Sequence, residues 1–293
     1  MTVNDCRIIE LPKFLDERGN LSFAENFKQV PFEIKRAYWV YDVPGGECRG
    51  GHAYKRNEEF IIALSGAFDV TVDDGHEKKT FSLNRSYYGL YVPKGLWREM
   101  EHFSTNSFAL EFGSTHYDPK DYIRDYSDFL TFKDSAETEY NVEAKNEKAI
   151  EVSSKSYSVF DCSMVELDKH HSDRKGNLTV VENEKTLPFD VKRVYYLYDV
   201  PGGESRGAHA HKELEQLIIA ASGSFTVTLD DGKCKRSFFL NRPYQGLYVK
   251  PGMWRELEDF SSGAVAMVLA SDVYIKTDYI REYSEFLSFR NSR

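Results

Sequence analysis

Displaced by 157 residues, this 293-residue chain lies over itself. PFEIKRAYWVYDVPGGECRGGHAYKRNEEFII (31–62) meets PFDVKRVYYLYDVPGGESRGAHAHKELEQLII (188–219), and 20 of those 32 positions are identical. The register continues through the DDG triplets at 73–75 and 230–232, GLYVPKGLWRE (89–99) over GLYVKPGMWRE (246–256), and DYIRDYSDFLTF (121–132) over DYIREYSEFLSF (278–289). A duplication of this length restricts the chain to two copies of one small fold. It predicts a first repeat over 1–132, a polar linker over 133–156 that matches nothing in the other copy, and a second repeat over 157–293.

Within each copy the signals are β. YYLYDV, EQLIIAASG, SFTVTLDDG, KRSFFLN, YQGLYV and GAVAMVLAS are short runs rich in β-branched and aromatic residues, separated by Gly, Pro and Asp-Gly turns. An aromatic content of 14% fits sheets better than helix bundles, and many short strands with regular turns indicate a sandwich or small barrel. Tyr279, Tyr283, Phe286 and Leu287 recur near helical spacing, which predicts a short helix closing each repeat and packing on the barrel.

A net charge of −9 argues against nucleic acid or an anionic membrane as the main partner, while leaving room for a small anion held by a few local cations. No basic-then-apolar leader opens the sequence and no run approaches about 18 apolar residues. Cys6, Cys48, Cys162 and Cys234 show neither CxxC nor metal-ligand spacing and fall at non-equivalent places in the two repeats. The expectation is a protein of the reducing cytoplasm.

The chemistry concentrates at Arg206-Gly207-Ala208-His209-Ala210-His211. Two positions apart on a strand, His209 and His211 project from the same face, and imidazoles exchange protons near neutral pH. Three readings stand at this point: structural histidines, a metal site with Glu215 as third ligand, and metal-free acid–base catalysis. Lys192 and Lys212 are weaker candidates for holding an anionic group, lysines in such places more often facing solvent, and His170 and His171 are read as surface residues.

Gly203, His209, His211, Glu215 and Gly223 resemble the first motif of the cupin superfamily, with one extra residue between Glu215 and Gly223. Where the second cupin motif supplies another histidine, Lys250-Pro251-Gly252-Met253-Trp254-Arg255 offers Arg255, a poor neighbour for a divalent metal. The combination PFxxKRxYY, PGGESRGAHAHKELEQ, the DDG hairpin, GLYVxPxxWRE and the DYIREY tail is similar to the dTDP-4-keto-6-deoxyglucose 3,4-ketoisomerases over nearly all of both repeats. The fold this implies is all-β: two tandem cupin barrels (double-stranded β-helix, or jelly-roll), each with a short C-terminal helix. Members are usually single-domain dimers that exchange an N-terminal strand, so the fused chain would be a pseudo-dimer, alone or further dimerised.

The resemblance implies a dTDP-linked 4-keto-6-deoxyhexose substrate, no cofactor and no metal. His209 would be the base at the sugar carbons and His211 would shuttle protons at the oxygens, with Tyr195 as the third catalytic group. Arg193, Arg206, Lys175, Tyr248 and Trp254 would bind substrate. Asp173-Arg174-Lys175-Gly176 and its counterpart Asp16-Glu17-Arg18-Gly19 resemble a D-x-R-G loop near the sugar, in the form attached to the galacto product. Alternatives are a sugar-nucleotide 3,5-epimerase, whose His–Asp pattern the sequence lacks, a non-catalytic sugar-nucleotide-binding cupin, and a metal-dependent oxygenase. In the first repeat His52 keeps the place of His209, but Tyr54 replaces His211 and Glu59 replaces Gln216. A phenol is a poor base at neutral pH. Tyr38, Arg36 and Arg49 persist with His52 and Tyr54 as a second, degenerate site.

Overall fold

Strand Arg36–Tyr41 is buried at all six positions, and its counterpart Arg193–Tyr198 at five of six. Such strands have no solvent face, which requires a layer on each side. In the computed structural model, which describes residues 1–135 and 156–292, those layers are two barrels set back to back. Each barrel is a seven-stranded sheet facing a five-stranded sheet, with antiparallel pairing between named strands. One side of the strand, with Ala37, Trp39 and Tyr41, joins the core shared with Val194, Tyr196 and Tyr198 of the other repeat. Val40 on its other side belongs to the first barrel's own core, whereas the second barrel's core is built around residues such as Phe225, Val227 and Leu247.

The repeats exchange strands. Gly19–Glu25 leaves the first repeat and pairs with Arg193–Tyr198 of the second, with Phe23 opposite Tyr195 and Leu21 opposite Leu197. Gly176–Glu182 makes the reciprocal pairing with Arg36–Tyr41. The crossing is sealed by Tyr41 with Thr179 (3.2 Å), Ser22 with Tyr198 (3.0 Å), and the Trp39 indole N–H donating to the Pro243 carbonyl (2.9 Å). The strand exchange expected between dimer partners therefore occurs within one chain.

The Asp-Gly turns form as expected. Gly75 and Gly232 adopt φ of +92° and +88°, a region costly for other residues. Asp74 and Asp231 also accept backbone N–H groups from their own turns and from Val3 and Val159 respectively. That last contact makes Cys6 and Cys162 equivalent, each one residue beyond the same 3-10 turn and buried. The repeat offset is thus 156 residues there instead of 157, and the sequence comparison without gaps missed it; all four cysteines are free.

The closing helices are α1 (Tyr126–Ser135) and α2 (Tyr283–Asn291). Each buries one phenylalanine, Phe129 or Phe286, against a tryptophan of the barrel, Trp97 or Trp254. Tyr279, assigned to this helix by periodicity, instead begins the two-residue strand Tyr279–Ile280 that pairs with Ala210 and His211. Residues 133–135 of the expected linker belong to α1, and 136–155 lie outside the described residues. Among the described residues no helix is long and apolar enough to cross a membrane.

Candidate functional site

Strand Arg206–His211 carries a bulge between Gly207 and His209. Gly207 has φ +90°, with the Arg255 carbonyl 2.7 Å from where a Cβ would stand, and Ala208 is held at φ +51°. A bulge of this kind re-aims the following side chain. The His209 Nδ1 lies 3.0 Å from the Gly207 carbonyl, which can only accept, so Nδ1 carries the proton and the lone pair sits on Nε2. That Nε2 is buried without a hydrogen-bond partner, and His209 lines a cavity of about 380 Å³.

His211 stands behind it, fully buried, with ring centroids 4.9 Å apart. Its Nδ1 donates to Asp278 (2.8 Å) and its Nε2 faces the Gln216 amide nitrogen at 3.5 Å. The Gln216 amide also donates to the Tyr195 hydroxyl (2.8 Å). A phenol that accepts from inside keeps its own hydrogen for the cavity. Burial holds Tyr195 protonated, raising it to about 12. Burial, reinforced by the Arg255 charge, pushes both histidines well below the usual imidazole value, so both are neutral near pH 7.

Arg255 takes the position where the cupin pattern would hold a further histidine. Its guanidinium is 1% exposed, and Nε and both terminal nitrogens have no hydrogen-bond partner. Burial lowers its pKa, outweighing the opposing pull of acidic groups such as Tyr195 and Asp278. A buried, unpaired guanidinium is expensive, and here it lines the cavity with Tyr195, Gln216 and Val268. Arg18, Arg193, Arg206 and Arg281 also border the cavity, against the single carboxylate of Asp16. A chain of net charge −9 thus focuses positive potential at one opening.

Of the expected site residues, the structure brings His209, Tyr195, Arg193 and Arg206 to this cavity, with His211 one layer behind. Three stand elsewhere. Tyr248 donates to Glu215 (2.8 Å) and stacks on Phe189, and Trp254 donates to Glu256 (3.0 Å) and packs on α2. Lys175 follows Arg174, which pairs with Glu47 of the first repeat (3.4 Å), because the strand exchange carries that loop across. Its place beside His209 is taken by Asp16 and Arg18, and Asp16 pairs with Arg206 at 3.0 Å. Phe14 and Phe23, stacked at 6.1 Å, come from the same exchanged segment. Tyr274, Tyr279 and Arg281 complete the rim, the last two signalled in sequence only by the repeated DYIR tail.

Glu215, weighed as a metal ligand, is engaged by Tyr248 and Lys250 (3.2 Å) instead of the histidines. No three His, Cys, Asp or Glu side chains converge as a ligand set among the described residues. The His–Asp pattern not found in the sequence does form, between His211 and Asp278, 67 residues apart. Its free nitrogen faces Gln216 and not the cavity.

The first barrel holds the same scaffold with different contents. His52 also has a buried Nε2 without a partner, and burial, aided by Arg98, lowers it to about 3. The Tyr54 hydroxyl donates to Tyr122 (3.3 Å), which also accepts from Arg36 (3.3 Å). Arg98, the counterpart of Arg255, donates twice to Glu59 (2.7 Å each) and to Glu111 (2.8 Å). The Tyr38 hydroxyl donates to Glu59 as well.

Comparison with known proteins places these observations. A TDP-4-oxo-6-deoxy-alpha-D-glucose-3,4-oxoisomerase of Aneurinibacillus thermoaerophilus is 50% identical over 117 residues, covering 40% of this chain and 84% of the relative. A 3,4-ketoisomerase structure from Helicobacter canadensis shares 47% identity, covering 45% of this chain and 98% of that one, with a TM-score of 0.44. The WlaRB TDP-quinovose 3,4-ketoisomerase of Campylobacter jejuni shares 48% identity over 44% of this chain and 98% of its own, with a TM-score of 0.42. The family model described as "FdtA: WxcM-like, C-terminal" matches twice, at residues 4–134 and 160–291, and the chain therefore belongs to the FdtA family as two fused copies.

Proposed function

We propose that this chain is a TDP-sugar 3,4-ketoisomerase with one working site, in the second barrel. The reading assigns the first repeat, extended through α1 to residue 135, to a supporting barrel, the segment from there to 156 to a linker, and 157–293 to the catalytic barrel. The observation that carries it is the meeting of two unsatisfied groups on one cavity wall: the bare Nε2 of His209 and the bare guanidinium of Arg255. A neutral base beside a fixed positive charge suits removal of a proton from carbon next to a ketone.

With TDP-4-keto-6-deoxyglucose as substrate, His209 Nε2 takes the C3 proton. The C3–H electron pair becomes the C3=C4 bond, and the C4 ketone oxygen takes on negative charge. Arg255 stabilises that charge, and the Tyr195 hydroxyl gives its proton to the C4 oxygen. The phenolate then takes the O3 proton as His209 returns a proton to C4, which leaves the ketone at C3 and both groups as they began. His211, expected at the sugar oxygens, supports a positioning role: Asp278, His211 and Gln216 form a chain that ends on Tyr195. Arg206 and Arg18 would hold the diphosphate through charge-assisted hydrogen bonds. The loop at the working site is Asp16-Glu17-Arg18-Gly19, the D-x-R-G form that resemblance attaches to a galacto product.

Incubation with TDP-4-keto-6-deoxyglucose in D₂O, followed by NMR, tests the reading. Deuterium at C4 of a new 3-keto sugar is expected; unchanged substrate with no exchange at C3 would sink it.

A further inference from the structure

Four positions on the cavity wall of the second barrel have counterparts at the repeat offset in the first. Tyr195, Gln216, Arg255 and Val268 correspond to Tyr38, Glu59, Arg98 and Glu111. Two of the four are the same residue and two become carboxylates. Glu59 clasps Arg98 with both oxygens and Glu111 binds it from a third direction, all three side chains being at most 3% exposed. The guanidinium that stands bare in one barrel is consumed in the other. Glu59 also reverses the phenol: Gln216 donates to Tyr195, whereas Tyr38 donates to Glu59, so the hydroxyl hydrogen turns inward to the buried carboxylate and is not offered to a ligand. Glu111 adds a carboxylate where Val268 leaves room.

We propose that Glu59 and Glu111, and not the loss of the second histidine, close the first barrel to the sugar, and that it is a latent site which their removal reopens. This rests on the ketoisomerase reading of the second barrel. The physical reason is double. A guanidinium already held by two carboxyl groups has nothing left to offer a developing oxyanion, and the ion pairs stand where the hexose would sit. Tyr54 matters less, because its counterpart His211 lies behind the wall and acts through Gln216.

The test counts sites in the full chain carrying His209→Asn, which prevents conversion of bound sugar. Calorimetric titration with TDP-4-keto-6-deoxyglucose is expected to give one site per chain in this parent and two after Glu59→Gln with Glu111→Val. Tyr54→His alone should leave one. The reciprocal change, Gln216→Glu with Val268→Glu, should abolish binding while the melting temperature holds, since the first barrel already folds around that arrangement. It remains decisive even where the first pair of substitutions unfolds its barrel. Two sites in the parent, one site after folded Glu59→Gln/Glu111→Val, or binding retained by Gln216→Glu/Val268→Glu would each overturn the proposal. Absence of both binding and turnover in the unmodified chain would instead reject the ketoisomerase reading on which it rests.

Discussion

The two barrels place the same arginine, tyrosine and first histidine at equivalent positions, yet one holds a paired electrostatic core and the other an unpaired, reactive one. In the first, Arg98 is held between Glu59 and Glu111; in the second, Arg255 meets no hydrogen-bond acceptor. Burial would raise the Glu59 carboxyl, but Arg98 overrides it and keeps Glu59 low, while burial leaves Glu111 raised. A network whose cation is paired, as Arg98 is although Glu111 Oε1 has no partner, stabilises a fold. An unsatisfied one costs stability and is available to a ligand. Duplication allowed one chain to hold both solutions, with the stable barrel lending its exchanged strand to the reactive one.

The sharpest break in the comparison comes from the histidines. His209→Ala is expected to reduce turnover about 10³-fold, within the range for loss of a positioned base, whereas His52→Ala stays within about twofold. Equal losses, measured as initial rates by NMR, would mean that both barrels work. The arginines sharpen the contrast in a second way. Arg255→Met should lower kcat/KM about 10²-fold, as for a lost oxyanion partner, and raise the melting temperature by relieving a buried unpaired charge. Arg98→Met should destabilise by about 3–5 kcal/mol, since two carboxylates lose their partner in the interior, with little effect on kcat. Denaturant titration of the two variants separates these outcomes, and the same sign of stability change in both would contradict the pairing argument.

A smaller effect tests the exchange itself. Arg18→Ala, in the first repeat, should raise KM about tenfold for the second barrel's reaction, by loss of one charge-assisted contact worth about 1.5–3 kcal/mol. Lys175→Ala, in the second repeat, should leave KM within twofold. The reverse ranking in steady-state assays would place the binding loop within its own repeat.

The gentlest prediction concerns pH. His52, His209 and His211 have folded values below that of free imidazole, so the unfolded chain takes up protons first as pH falls through about 6.5. Their contribution to stability is complete above that pH and declines below it, each by up to about 1.4 kcal/mol per pH unit. Thermal melts from pH 8 to 5 should show the decline, and His52→Gln should flatten it. A flat profile in the unmodified chain would show that these imidazoles are not desolvated.

The duplication, the β-rich repeats, the Asp-Gly turns and the closing helices were legible in the sequence because each is local. Strand period, turn chemistry and helix spacing are carried by neighbouring residues. His209 was legible for the same reason, standing in a recognisable segment. What the sequence alone determined was thus the unit, its repetition, and the histidine difference between the copies. Only the tertiary structure decided which loop serves which site, since strand exchange moves Arg18 and Lys175 to opposite barrels. It also decided that Tyr248 and Trp254 pack away from the cavity while Tyr279 and Arg281 enter it. Above all it decided what a buried arginine means. Arg98 and Arg255 are the same letter at equivalent positions, and their roles differ because residues 39 and 13 positions distant fold onto one of them as carboxylates and onto the other as an amide and a methyl-bearing side chain. Charge pairing depends on distance in space, and sequence separation does not encode it.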